Sequence, residues 1–187
     1  MAKQEAKKKR KRWLTILPTS HFKVKEIGES FVAEPSSLVG KTVTMNVMDL
    51  TRDPKKQNLK ITFMIKEVKD NRAITEIKRY QMLPSSVRRL MHPGKSKIDD
   101  SFIAETKDNI KVRIKPVLIT RSKTTRGVLS KLKHESEKFL RDNLKKVNYD
   151  ELINNVLDSK IQVSLRNHVK KIYPLAGCHI RMLEKSG

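Results

Sequence analysis

Apolar and polar positions alternate most clearly in the middle of the chain, where the runs 97–106 and 110–115 flank a turn at 107–109. The second run alternates apolar with basic residues, which is the period of a half-buried strand. A two-residue loop at 108–109 would bring charged side chains onto the apolar face. A three-residue loop keeps that face apolar and pairs opposite charges on the other face. We therefore predict a β-hairpin with these neighbours: Ala104 beside Val112, Phe102 beside Ile114, and Glu105 beside Lys111.

The last residue of that loop is Asn109. A three-residue hairpin loop needs a left-handed backbone at its last position, and Asn is one of the few non-glycine residues that tolerate it. The same tripeptide, Lys-Asp-Asn, recurs at 69–71 between two strand-like runs, 59–68 and 73–80. A second turn is therefore expected at 69–71.

The remaining patterns set the order of the fold, since short alternating runs predict strands and three-to-four-residue spacing predicts helices. The further predicted elements are an extended segment and a short strand within 13–31, a helical turn at 35–40, a strand at 41–50, a loop at 49–58, helices at 85–91, 124–147, 151–157 and 160–172, and a last strand at 175–183. A block of strands followed by helices and one strand predicts an α+β fold. We expect a curled or barrel-like, mostly antiparallel β-sheet, then C-terminal helices and a last strand.

A basic arm precedes this predicted fold. Residues 1–12 hold seven basic residues and one acidic residue, and we interpret them as a flexible arm that orders on nucleic acid. A nuclear-import signal would have the same composition. Residues 13–187 are expected to form a single α+β domain. It would be strand-rich over 13–120, helical over 124–173, and closed by a strand over 175–184.

The charge balance points to a partner. The 187 residues include 42 Lys and Arg against 20 Asp and Glu, for a net charge of +22 and a pI near 10.2. Positive charges this numerous repel one another in the folded protein. We therefore expect a polyanionic partner that neutralises them. Nucleic acid is the leading candidate and an anionic membrane the alternative. No apolar run approaches a membrane span, and the single Cys178 excludes an internal disulfide framework and fits a reducing compartment.

Basic residues without acidic neighbours mark the predicted nucleic-acid-binding surface. The segments 77–98 and 109–134 contain no Asp or Glu, so each presents one sign of charge. A solvated face is the simpler interpretation of one such segment, but the bias of the whole chain favours an anionic partner. The predicted nucleic-acid-binding residues, which would bind RNA if the partner is RNA, are Lys7, Lys8, Lys9, Arg10, Lys11, Arg12, Arg88, Arg89, Lys95, Lys97, Lys111, Arg113, Lys115, Arg121, Lys123, Arg126 and Lys131.

Other candidate chemistry is sparse. The six glycines are scattered, and the histidines lack metal-ligand spacing. We interpret Cys178 and His179 as a buried strand residue and its neighbour, and Asp99 and Asp100 as pointing to opposite faces of a strand. Trp13, the only tryptophan, is interpreted as a core or rim anchor, with a base-stacking role as the alternative. We therefore expect no enzyme activity, no cofactor and no metal.

A series of short motifs resembles a known family. They are Lys11-Arg12-Trp13 with Pro18 and Phe22 following, Asp49-Leu50-Thr51-Arg52-Asp53, Ile98-Asp99, Thr106-Lys107-Asp108, Arg113, Thr120 and Ile172-Tyr173-Pro174-Leu175. In this order and spacing the chain, from residue 11 onward, is similar to the S-three-a-e, or S-one-e, family of archaeal and eukaryotic small-subunit ribosomal proteins. It departs from the family pattern at Leu17, where Ala is usual, and at Asn109-Ile110, where Gly-Tyr is usual.

The resemblance implies a β-barrel-like body with C-terminal helices, bound to small-subunit ribosomal RNA on the platform near the messenger exit. It also implies neighbouring ribosomal proteins and no catalysis. We therefore expect a structural component of the small subunit that acts in translation, cytoplasmic and in ribosomes, with no membrane partner and no small-molecule substrate. The alternative is a free-standing RNA-binding regulator. The sequence lacks the long C-terminal extension of eukaryotic members, so we expect the archaeal form.

Overall fold

The computed structural model describes residues 10–19, 22, 24 and 26–186. Most of the predicted basic arm, including Lys7, Lys8 and Lys9, lies outside the described residues. The chain divides into two compact units, one formed by residues up to 57 with 61–78 and the other by 58–60 with residues from 79 onward. The single domain over 13–187 stays a prediction.

The order of the elements confirms the predicted α+β class. The strands are β1 (Arg12–Leu17), β2 (Gly28–Val32), β3 (Thr42–Asn46), β4 (Leu59–Lys69), β5 (Arg72–Met82), β6 (Lys97–Asp99), β7 (Phe102–Glu105), β8 (Lys111–Thr120) and β9 (Leu175–Lys185). The α-helices are α1 (Val47–Thr51), α2 (Pro84–Arg89), α3 (Arg126–Leu144), α4 (Tyr149–Leu157) and α5 (Lys160–Val169), and 3₁₀ helices cover Pro35–Leu38 and Pro54–Lys56. A strand-rich part is thus followed by C-terminal helices and a last strand, as expected.

The first unit contains the strand order β2-β1-β5-β4-β3. Strand β2 runs antiparallel to β1, whereas β1 and β5 are parallel, so the sheet is mixed. Alternate residues of β1, β4 and β5 are buried because side chains in a strand point to opposite sides in turn. On β1 the buried residues are Leu14 and Ile16, and on β4 they are Ile61, Phe63 and Ile65.

In the second unit the last residues of β5 pair with β9, and β9 pairs with β8 along most of its length. Strands β6 and β7 both pair with β8 on its other side. Helix α5 packs on β9, and α3 packs on α5 and β7. The helices bury one apolar stripe each, which includes Leu132, Leu140 and Leu144 of α3. Among the described residues, the strands do not form a closed barrel in either unit.

The central hairpin has the predicted register. Phe102 pairs with Ile114, Ala104 with Val112 and Glu105 with Lys111. The backbone of Asn109 is left-handed, with φ of +58°, and its N–H donates to the Thr106 carbonyl at 3.0 Å. The three-residue loop and its left-handed last position are therefore confirmed.

The strand predicted over 41–50 is wrong in its second half. Strand β3 ends at Asn46, and the chain turns directly into the short helix α1. The Asn46 side chain accepts a hydrogen bond from the Met48 N–H at 3.1 Å, which is the contact that makes Asn a favoured residue before a helix. Val47 and Leu50 are buried from helical positions, although Val47 also fits the alternation of a strand. The side-chain cap overrode the alternating pattern.

Trp13 is not a core residue. Its side chain is 62% exposed, because the buried residues of β1, Leu14 and Ile16, leave it on the opposite face of the strand. The core interpretation is therefore wrong. The ring packs against that of Phe31, with 4.9 Å between the two centroids.

Candidate nucleic-acid interface

A pocket in the second unit gathers cationic side chains from four elements that are far apart in the sequence. We call it the basic pocket, and it is lined by Arg88 of α2, Lys97 of β6, Lys115 of β8 and Arg181 of β9. Its volume is about 390 Å³. The apolar part of the lining includes Met82, Val87 and Met182.

Strand geometry explains why Lys115 and Arg181 meet here. Lys115 pairs with Met182, whereas the next residue, Pro116, pairs with Ile180, so Arg181 is the extra residue of a β-bulge. Proline has no N–H to donate to the ladder, and strands commonly break their pairing at such a residue. A bulge re-aims the side chain of its extra residue. The Arg181 side chain thereby joins the pocket lining.

One carboxylate holds two of the pocket's cations in place. Oδ2 of Asp99 lies 2.8 Å from Nζ of Lys97 and 2.9 Å from a guanidinium nitrogen of Arg181. Arg88 and Lys115 make no ion pair within the described part of the chain. Among the described residues, Asp99 is the one carboxylate paired with any of these four cations, so the pocket stays positive. Arginine's planar fork and lysine's compact charge are both well suited to phosphate oxygens.

The neighbouring Asp100 takes part in a different contact. It lies 3.1 Å from Nζ of Lys133 on α3, whereas Asp99 contacts the pocket cations. This separation agrees with the prediction that the two carboxylates point to opposite faces. Within the described residues, no group of three His, Cys, Asp or Glu side chains is placed to hold a metal.

The structure brings some of the predicted RNA-binding residues together and leaves others apart. Arg88, Lys97 and Lys115 meet in the basic pocket, and they join the two acid-free segments. Lys111 lines a separate depression with Arg141 and Lys145. The exposed predicted residues outside the basic pocket are Arg10, Lys11, Arg12, Arg89, Lys111, Arg113, Arg121, Lys123, Arg126 and Lys131, and Lys95 is half-buried. Which of these residues contact RNA stays a prediction.

Sequence reasoning missed Arg181. The predicted residues lie in segments free of acidic residues, whereas Arg181 stands near Glu184 on β9. Arg181 reaches the pocket only because β9 lies antiparallel to β8 with a bulge opposite Pro116. A proline inside a strand pattern is the one signal in the sequence that could have indicated the irregular pairing.

The basic loop, residues 121–126, connects β8 to α3. Arg121, Lys123 and Arg126 are exposed there, and none makes an ion pair within the described part of the chain. The backbone is tethered, because the Arg121 N–H donates to the Pro174 carbonyl at 3.1 Å and the hydroxyls of Ser122 and Tyr173 share a hydrogen bond of 2.7 Å. The loop thus has an anchored backbone and basic side chains that lack an ion-pair partner among the described residues.

Cys178 and His179 belong to the interior of β9. Cys178 is buried, as predicted, and burial raises the pKa of its thiol to about 12. The thiol is therefore protonated at neutral pH, which is unsuited to nucleophilic chemistry. Burial, with a smaller contribution from Arg166, lowers the pKa of His179, so the imidazole is neutral at pH 7.

None of the helices in the described residues has both the length and the apolar character that crossing a membrane requires.

Comparison with known proteins identifies the family. The family model described as the Ribosomal S3Ae family matches residues 1–185. The small ribosomal subunit protein eS1 of Nanoarchaeum equitans is 33% identical over 172 residues, covering 92% of this chain and 87% of the relative. The protein of the same name from Methanobrevibacter smithii is 30% identical over 181 residues, with 94% of each chain covered. The one from Halorubrum lacusprofundi is 28% identical over 176 residues, covering 94% of this chain and 82% of the relative. These matches confirm the resemblance, and the chain belongs to the Ribosomal S3Ae family.

Proposed function

We propose that this protein is a structural component of the small ribosomal subunit and that it binds small-subunit ribosomal RNA in translation. The relatives named above carry the name of a small-subunit protein. The observation that carries the RNA-binding part of the proposal is the basic pocket. It joins residues of both acid-free segments and adds Arg181, which lies outside them.

The basic pocket has properties that favour binding of RNA phosphates. Its cations stand on strands and a helix, so their backbone positions are set before a ligand arrives. Asp99 orients Lys97 and Arg181 through ion pairs of 2.8 and 2.9 Å, which reduces the side-chain freedom lost on binding. Each phosphate that contacts a cation releases condensed counterions, and this release drives association at low salt.

The start of α3 supports the same proposal. This helix of 19 residues begins at Arg126 and has no acidic residue in its first turn. A cation at a helix N-terminus faces the positive end of the helix dipole and is unfavourable by about 0.3–1 kcal/mol. An RNA phosphate beside this turn would offset both the dipole and the charge of Arg126. The unfavourable placement is then explained by binding.

The proposal includes neighbouring small-subunit proteins as partners, a cytoplasmic location in ribosomes, and no catalysis by this chain. Its test is sedimentation of native lysate through sucrose gradients at low and at moderate salt. We expect the protein at one copy per small subunit under both conditions. Recovery mainly from the soluble fraction, or only from membranes, would overturn the proposal. Substoichiometric association that is lost in moderate salt would instead identify a free-standing RNA-binding regulator.

A further inference from the structure

Two exposed aromatic rings lie side by side on the first unit. Trp13 of β1 and Phe31 of β2 are cross-strand partners, and their side chains are 62% and 49% exposed. The ring centroids are 4.9 Å apart, with 37° between the planes. Large aromatic side chains are usually buried, and an adjacent exposed pair of them commonly marks a binding surface.

The core of the first unit does not use this pair. Leu14 and Ile16 supply the buried face of β1, so Trp13 stands on the opposite face of the strand. Strand β2 pairs with β1 alone among the described strands, which makes it an edge strand of this unit. The two rings therefore present an accessible apolar surface at the edge of the sheet.

Cations border the rings. Nζ of Lys11 lies 5.7 Å from the centroid of the Phe31 ring, and Arg10 and Arg12 are exposed on either side of Lys11. Lys11 stands just before β1, and its contact with the Phe31 ring places its charge on the same side of the sheet as Trp13. A protein partner that buried these rings would have to desolvate the adjacent cations, whereas a nucleotide offers a ring to stack and a phosphate to neutralise them.

We propose that Trp13 and Phe31 form a stacking site for an unpaired RNA base, with Lys11 and its basic neighbours on the adjoining phosphates. This inference rests on the proposed function and adds to it a second kind of RNA contact. Glu29 stands opposite Thr15, two residues further along the same face. Its charge repels phosphate, so the RNA backbone lies on the Lys11 side and the base extends over the rings.

The single tryptophan provides the measurement. The probes are a single-stranded RNA of about ten nucleotides and a blunt duplex of the same length. Stacking on the indole quenches its emission, and a duplex offers no free base face along its length. We expect the full chain to show quenching with the single strand and much less with the duplex.

Variants separate stacking from charge. Phe31→Ala should weaken binding of the single strand by about 5- to 140-fold, since base–aromatic stacking is worth about 1–3 kcal/mol per base. Phe31→Tyr keeps a ring and should bind as the unmodified protein does. Val163→Ala alters a side chain of α5 that is 56% exposed and is the matched control, with no expected change. A melting curve for each variant identifies any loss of folding.

Each other outcome overturns the inference in a distinguishable way. If the chain binds ribosomal RNA with a steep salt dependence, but Phe31→Ala binds equally well and Trp13 is not quenched, the stacking site is wrong and the proposed function stands. If the chain neither binds RNA nor sediments with small subunits, both fail. Quenching by an RNA-free fraction of small-subunit proteins, without quenching by RNA, would assign the rings to a protein contact.

Discussion

The basic pocket and the basic loop carry the same sign of charge but hold it in different ways. In the pocket, Arg181 and Lys97 are fixed by Asp99, and all the cations project from helix or strand positions. In the loop, Arg121 and Lys123 have no ion-pair partner in the described part of the chain, although the backbone beneath them is anchored. RNA must therefore order the side chains of the loop when it binds, whereas Lys97 and Arg181 of the pocket are already ordered by Asp99. We expect this difference to separate directed hydrogen bonding from simple charge neutralisation.

Removing the pocket's cations should have the largest effect. In the triple variant Arg88→Gln, Lys115→Gln and Arg181→Gln, affinity for small-subunit RNA should fall by about tenfold for each lost charge-assisted contact. The plot of log affinity against log salt should also flatten by about two to three units. Because directed hydrogen bonds are lost as well, the variant should still bind more weakly than the unmodified protein at high salt. Filter binding over a salt series measures both quantities.

Removing the loop's cations is the matched comparison, with the same number of charges. The variant Arg121→Gln, Lys123→Gln and Arg126→Gln should flatten the salt dependence by a similar two to three units. Its affinity should converge with that of the unmodified protein at high salt, because the loss is mainly electrostatic. These side chains pack on no core, so the free energy of unfolding should not fall, and loss of the Arg126 charge from the first turn of α3 should raise it slightly. An unchanged salt dependence would show that the loop faces away from RNA.

Asp99→Asn tests whether RNA binding in the pocket depends more on the orientation of its cationic side chains or on its net positive charge. The variant removes a negative charge, which should strengthen binding at low salt, but it also frees Lys97 and Arg181, which should weaken binding at high salt. The two salt series should therefore cross. The ion pairs are partly exposed, so the free energy of unfolding should fall by no more than about 1 kcal/mol. Binding that is tighter at every salt concentration would mean that the ion pairs contribute no useful orientation.

Arg126→Glu should give the smallest change and separates stability from binding within the loop. A carboxylate in the first turn of α3 interacts favourably with the helix dipole, so the protein should become more stable by about 0.3–1 kcal/mol. RNA binding should weaken at the same time, because the phosphates proposed at this turn are repelled. Thermal melting and filter binding test the two effects separately. A variant that gains stability without losing affinity would remove the start of α3 from the proposed interface.

Local sequence patterns were sufficient for the hairpin because its strands and turn favour the same register. The two Lys-Asp-Asn turns show that local sequence does not specify the turn conformation. At 69–71 both Asp70 and Asn71 have positive φ, whereas at 107–109 only Asn109 does. In the turn at 107–109 the carboxylate of Asp108 accepts a hydrogen bond from the Tyr149 N–H at 3.0 Å, and these two residues are far apart in the sequence. The turn conformation is therefore selected by the flanking strands and by such contacts, and not by the tripeptide itself.

The candidate site was only partly predictable for the same reason. Charge segregation identified Arg88, Lys97 and Lys115, because a segment without acids is visible in the sequence. Their meeting point depends on which strands are neighbours, which no local pattern specifies. The face on which Trp13 lies was equally undetermined, since its segment is short and apolar on both sides of the strand.

The bulge in β9 also constrains how this strand can change its length. Cys178 and Ile180 are buried before the bulge, and Leu183 is buried after it, so the inward-facing positions change from even to odd numbers at Arg181. Deleting Arg181 would remove the bulge and leave a regular strand in which Ile180 and Leu183 stand two positions apart, so both would still face inward. A substitution at the same position leaves both phases intact. Position 181 is therefore a point where β9 can lose a residue without turning its buried side chains outward, at the cost of the Arg181 side chain in the basic pocket.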